Sequence, residues 1–199
     1  MSATISSINY CPVKSVSIQS IDKCEIQKNI GIVGDRIFAF AKGLDPDKAR
    51  LFEKSPEERK GKWNKVLTLK NSPVLNKYNF LFEENQLTLT SKDKEILTID
   101  VNELNERQLL SNKIIELENS LKEPIVLMKN KEFPFFDTSI SNKVDFINSV
   151  SLINIQSISD FQQKADKKVE ISRFRGNICV DGMEPWEERK WIGKIIKIN

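Results

Sequence analysis

The chain has 199 residues, and its 31 lysines and arginines nearly balance 28 aspartates and glutamates for a net charge of +3. That charge is too mild, and its lysines too interleaved with acids, to imply a nucleic-acid protein. The complete absence of histidine removes the Ser-His-Asp and Cys-His mechanisms, the histidine zinc sites and the usual neutral-pH general base.

With 39% hydrophobic residues, one large domain or two small interlocked ones can form a core, and no apolar run approaches the roughly 18 residues of a spanning helix. Residues 1–9 have neither a basic nor an apolar leader pattern, which points to the cytoplasm. Cys11, Cys24 and Cys179 are odd in number and far apart, and they read as reduced thiols.

In chain order, Thr4 to Ile26 predicts strand, turn, strand, with Pro12 marking the turn. Gly31 to Arg36 leads into a short apolar strand at Ile37 to Ala41. Asp47 to Asn64 is charged and reads as a loop with at most a short helix. Val66 to Leu69, Asn79 to Phe82, Leu87 to Thr90 and Glu95 to Asp100 read as short strands joined by hairpin-length polar connectors. The period then changes: Leu110, Ile114, Leu117 and Leu121 predict an amphipathic helix over 102–121, with Asn102 as N-cap.

Ile125 to Met128 reads as a buried strand and Lys129 to Asn148 as a loop, whose Phe133 to Phe136 patch is either a lid or a packing plug. Val150 to Asn154 predicts a strand and Ile155 to Ala165 a helix, with a weak capping pattern at Ser157 and Asp160. A strand follows over 171–182. Glu184 to Trp191 reads as a short helical or turn segment, and Gly193 opens a terminal strand through Ile198.

Only seven arginines occur against 24 lysines, and two of them, Arg173 and Arg175, would share one face of the 171–182 strand. Such a face is an anion receptor, because the guanidinium fork suits phosphate and carboxylate best. Lys14-Ser15, Asp35-Arg36, Ser157 and Arg173 to Asn177 are thus four polar groups on an apolar framework. On its own, Asp35-Arg36 reads as a surface or half-buried ion pair, Lys14-Ser15 as a solvated turn, and the tryptophans as packing.

In these groups the chain resembles the MOSC family, named for the C-terminal domain of molybdenum cofactor sulfurase, with its N-terminal β-barrel partner domain. The matching residues are Tyr10 to Ser15, Gly31 to Arg36, Val150 to Asn154 with Ser157 to Asp160, Arg173-Phe-Arg-Gly-Asn-Ile178, and Asp181-Gly182 with Trp186, Glu187, Trp191 and Gly193. The resemblance implies an α+β fold that is mainly β, barrel-like, with a few peripheral helices. Its domains would be 1–101, an N-terminal β domain, and 102–199, the MOSC domain.

It also implies a molybdenum cofactor (molybdopterin) contacted by Lys14, Ser15, Arg36, Ser157, Arg175 and Asn177. The implied activity is oxidoreductase or sulfur-carrier chemistry on small N-oxygenated or sulfur compounds, served by a redox partner protein. Pyridoxal phosphate binding is a further implication of the same resemblance. Family members take their molybdenum-ligating cysteine from a segment past the Gly193 strand, and none of the three cysteines here matches it, so no metal ligand is assigned. Two other readings stand beside this one: a non-catalytic phosphate-ligand module, and a β-barrel binder of single-stranded nucleic acid.

Overall fold

The computed structural model describes residues 3–16, 18–136 and 149–197. Its strands and helices are, in chain order, β1 (Thr4–Tyr10), β2 (Gln19–Ile21), β3 (Ile26–Gln27), β4 (Gly31–Ile32), β5 (Phe38–Lys42), α1 (Pro46–Lys54), α2 (Pro56–Arg59), β6 (Tyr78–Glu83), β7 (Gln86–Ser91), β8 (Lys94–Asp100), α3 (Leu104–Leu117), β9 (Ile125–Lys129), β10 (Leu152–Asn154), α4 (Ile155–Ala165) and β11 (Ile178–Asp181). The class is α+β. The strands form open sheets of two to four strands among the described residues, and no barrel closes. No described helix is long and apolar enough to cross a membrane.

The chain divides into two compact units, Met1–Tyr10, Ser20–Glu25 and Val150–Asn199 in one, and Cys11–Gln19 and Ile26–Ser149 in the other. In the second, larger unit, β6, β7 and β8 form an antiparallel meander with Phe80 opposite Leu89 and Leu89 opposite Leu97. Alternation buries Tyr78, Phe80, Leu87, Leu89 and Ile99, as one buried sheet face requires.

β5 pairs antiparallel with β9 and is buried on both faces. Its Phe38 and Phe40 join the meander's core, where Phe38 meets Phe82 edge-on at 5.0 Å between centroids. Its Ala39 and Ala41 join a second cluster with Ala49, Phe52, Met128 and Phe135. The small alanines leave room for α1 to pack close.

Several sequence expectations give way here. The charged 47–64 stretch, expected to be a loop with at most a short helix, holds both α1 and α2. Asp45 caps α1 by accepting the Lys48 amide at 2.9 Å, Pro46 sits in the first turn, and Ala49 and Phe52, three apart, supply the buried stripe. Ser55, extended before Pro56, stops the helix. Val66 to Leu69 is not a strand: Val66 makes one isolated bridge to Ala41. α3 starts after Glu103, not after Asn102, because the Asn102 side chain is taken by Lys129 Nζ at 2.5 Å. α3 then ends at Leu117.

In the smaller unit the sheet order is β10-β11-β1-β2, with β11 parallel to β10 and antiparallel to β1. Ile178, Val180 and Met183 form its apolar cluster, against which Val150, Leu152 and Trp191 pack. Asn154, not Ser157, caps α4, its side chain accepting the Gln156 amide at 3.0 Å.

The expected strand over 171–182 is instead a 3-10 turn over Ile171–Phe174 followed by β11, with Arg175 left-handed at φ 49° between them. Arg173 and Arg175 therefore do not share a strand face, since the period of two holds only in extended backbone. The 187–191 segment is the short helical turn expected. Residues 193–197 are not a strand. Ile198, and the loop expectation over 137–148, lie outside the described residues.

Candidate functional site

Two turns of the larger unit carry three of the six site residues that the sequence singles out. Val13 to Val16 closes as a tight turn, the Val16 amide donating to the Val13 carbonyl at 3.2 Å, with Ser15 left-handed at φ 64°. Ile32 to Asp35 closes likewise at 3.1 Å, with Gly34 at φ 91° in the third position, where glycine adopts a positive φ at no steric cost. Main-chain bonds stitch the two turns together: the Arg36 amide donates to the Cys11 carbonyl at 2.7 Å, and the Lys14 amide to the Phe38 carbonyl at 2.8 Å.

Asp35, 1% exposed, completes this frame. One carboxylate oxygen accepts the Cys11 amide at 2.7 Å, and the other accepts from the Arg36 guanidinium. Arg36 lies 5.0 Å over the Phe136 ring. The Lys14 ammonium is buried and lies 5.0 Å over the Trp63 ring, a cation–π contact that tolerates a charge with little water around it. Lys14, Ser15 and Arg36 thus share one rigid frame at the head of β5. Phe135 and Phe136 are packing elements here, while Phe133 is exposed.

The other three residues belong to the smaller unit. Ser157 is buried, donates its hydroxyl to the Glu188 carboxylate at 2.9 Å and accepts the Trp186 amide at 2.7 Å. Asn177, 2% exposed, accepts the Ser151 amide at 3.1 Å and hydroxyl at 2.9 Å and donates to the Asn9 carbonyl at 3.2 Å. Arg175 is half-buried and Arg173 exposed. Ser157 and Asn177 sit in separate hydrogen-bond groups, so the structure does not gather these three as it gathers Lys14, Ser15 and Arg36.

Of the residues that hold these groups, sequence reasoning missed Asn9, and it named Asn154, Asp160, Asp181 and Trp186 in motifs without giving them these hydrogen-bonding roles. Asn9 carries its own network, accepting the Ser20 hydroxyl at 2.8 Å and donating to the Gly176 carbonyl at 3.3 Å. Asn154 donates to Glu188 at 2.9 Å, and Trp186 Nε1 donates to Asp160 at 2.5 Å. Hydrogen bonds from Lys164 and then Trp186 hold the Asp160 carboxyl below its usual value. Those from Gln156 and the Gly182 amide do the same for Asp181. An asparagine at the end of a strand before a helical period is the one available signal, and it marks Asn154 as a cap. Cys11 and Cys179 are buried thiols and Cys24 a half-buried one. Among the described residues no cluster of three or more acids and cysteines is placed to hold a metal ion.

Over 79 residues the chain is 28% identical to mitochondrial amidoxime reducing component 2 of Bos taurus, a match covering 40% of this chain and 23% of that protein. The chain thus spans about a quarter of that relative's length. No family profile matches the chain.

Proposed function

We propose that this is a MOSC-like protein that binds a molybdenum pterin cofactor through the cofactor's phosphate. The observation that carries the proposal is the frame of Asp35, Arg36 and Lys14, which lies in the motifs through which the sequence resembles that family. The partial similarity to mitochondrial amidoxime reducing component 2 supports the same direction.

The donor chemistry of the frame suits such a group. A phosphate monoester carries about −1.5 to −2 charges near neutral pH and takes charge-assisted hydrogen bonds from Arg and Lys. A guanidinium has five N–H donors, and the pair with Asp35 engages only part of that set while fixing the side chain's direction. Lys14 adds a point charge, and Ser15 a hydroxyl on the same turn. Ser157, Arg175 and Asn177 enter the proposal on the resemblance alone, since Ser157 and Asn177 already have partners inside the fold.

When bound, the cofactor would supply two-electron chemistry on small N-oxygenated or sulfur compounds. The residues named here supply charge, orientation and a fixed seat. The test is purification from a host that makes molybdopterin, followed by assay of molybdenum and of pterin fluorescence after acid oxidation. Both present in stoichiometric amount support the proposal. Bound phosphate compound without pterin favours a phosphate-ligand module, and neither overturns both.

A further inference from the structure

We propose that a cationic cleft in the larger unit, at Arg107, Lys129 and Lys131, is a binding site for a small phosphate-bearing molecule, built from residues other than those assigned to the cofactor. The cleft lies where the end of α1, the approach to α3 and the end of β9 meet, an open groove of about 370 Å³. That is within the roughly 300–1,000 Å³ typical of small-molecule pockets.

Its charge does not balance. Glu53 places one carboxylate between two guanidiniums, accepting from Arg107 at 2.8 Å through one oxygen and from Arg50 through the other. Lys54, Lys129 and Lys131 add three more positive charges to the lining, against Glu132. The Lys129 ammonium is held below its usual pKa, first by burial and then by Lys131 and Arg107, with Asp100 and Glu53 offsetting only part of this. An anion among these cations would relieve that strain.

Arg107 supplies the second observation. It is 6% exposed, and its Nε is the one buried side-chain nitrogen or oxygen among the described residues without a hydrogen-bond partner. Buried donors are almost always satisfied, so Arg107 is a guanidinium whose hydrogen bonds within the described fold are incomplete. Arg107 lines the cleft with Nη1 held by Glu53 and Nε buried, so a phosphate would engage the edge of the guanidinium that faces the cleft, a group suited to phosphate oxygens. Asn102 and Asn130 also line the cleft; their oxygens accept from Lys129 and from the Glu132 and Phe133 amides, and Asn130 donates to the Glu53 carbonyl, so they serve as reporters on its wall.

The experiment titrates inorganic phosphate into the ¹⁵N-labelled full chain and follows the Arg107 Nε–H and the side-chain amides of Asn102 and Asn130. Saturable shifts at these groups are expected, weakened about tenfold or more in Lys129→Gln/Lys131→Gln and retained in Arg36→Gln. Lys131→Gln alone, at an exposed position, should weaken binding in a chain whose fold is intact. Absence of saturable shifts overturns the proposal. Shifts that persist in the double variant but vanish in Arg36→Gln also overturn it, and they leave the cofactor proposal standing.

Discussion

Asp35 divides its carboxylate between two partners, the Arg36 guanidinium on one oxygen and the Cys11 amide at 2.7 Å on the other. The acid is 1% exposed, so both bonds form where water competes little. Arg36 itself is left-handed, at φ 54°, a conformation that costs a non-glycine residue about 1 kcal/mol or more and persists only where the surroundings fix it. Here the carboxylate and the Arg36 amide bond to Cys11 do so.

Removing that carboxylate should therefore loosen the frame as well as the ion pair. Asp35→Ala leaves a buried amide without its acceptor and a half-buried guanidinium without its counter-charge. A loss of about 2–4 kcal/mol is expected, measurable by urea unfolding. Unchanged stability would mean that the frame is held by main-chain bonds alone.

Gly176 in the smaller unit is predicted to be intolerant for a plain steric reason. A methyl group there would lie 2.4 Å from Cδ1 of Ile153, far inside van der Waals contact. Gly176→Ala should cost about 1–3 kcal/mol, and Ile153→Ala in the same chain should recover part of it. Additive losses in the double variant would contradict this contact as the cause.

The legible part of the fold is the part governed by periodicity. The β6 to β8 meander follows from alternation between polar connectors, and α3 from the three- and four-residue spacing of Leu110, Ile114 and Leu117. The extent of α1 is underestimated from sequence because its charged residues hide a stripe of only Ala49 and Phe52, although Asp45-Pro46 is a start signal. The Arg173-x-Arg175 spacing misled because sequence does not announce the positive φ at Arg175 that separates the 3-10 turn from β11. At the candidate site, the motifs drew attention to Lys14, Ser15 and Arg36, while the burial of Asp35 and the partners of Ser157 and Asn177 depend on residues distant in sequence.

Arg59 shows how far burial departs from composition. It is 1% exposed, donates to the carbonyls of Phe52, Phe133 and Glu53 at 2.6, 2.7 and 2.9 Å, and stacks 4.0 Å from the Phe135 ring centroid. Arg59→Lys keeps the charge but loses the fork and the stack. A loss of about 2–4 kcal/mol in urea unfolding is expected, and a neutral effect would show that the charge alone matters.

The Asp160 and Asp181 carboxyls have folded values below their ordinary 3.8. Their stabilising contribution is therefore complete above that value and is lost as pH falls through the lower folded values. Protonating Asp160 also removes the charge that strengthens its bond from the Trp186 indole, so tryptophan fluorescence should change in that acidic window. Asp160→Asn should abolish this change, and an unaltered profile in that variant would assign it elsewhere.

The role proposed for the Arg36 frame is to seat a molybdenum pterin by its phosphate. It is tested most directly by pterin and molybdenum content in wild-type protein and in Arg36→Ala, both purified from a molybdopterin-producing host and both shown folded by circular dichroism. Stoichiometric cofactor is expected in the wild type and near-complete loss in the variant; equal occupancy in the two, or no pterin in either, would rule that role out.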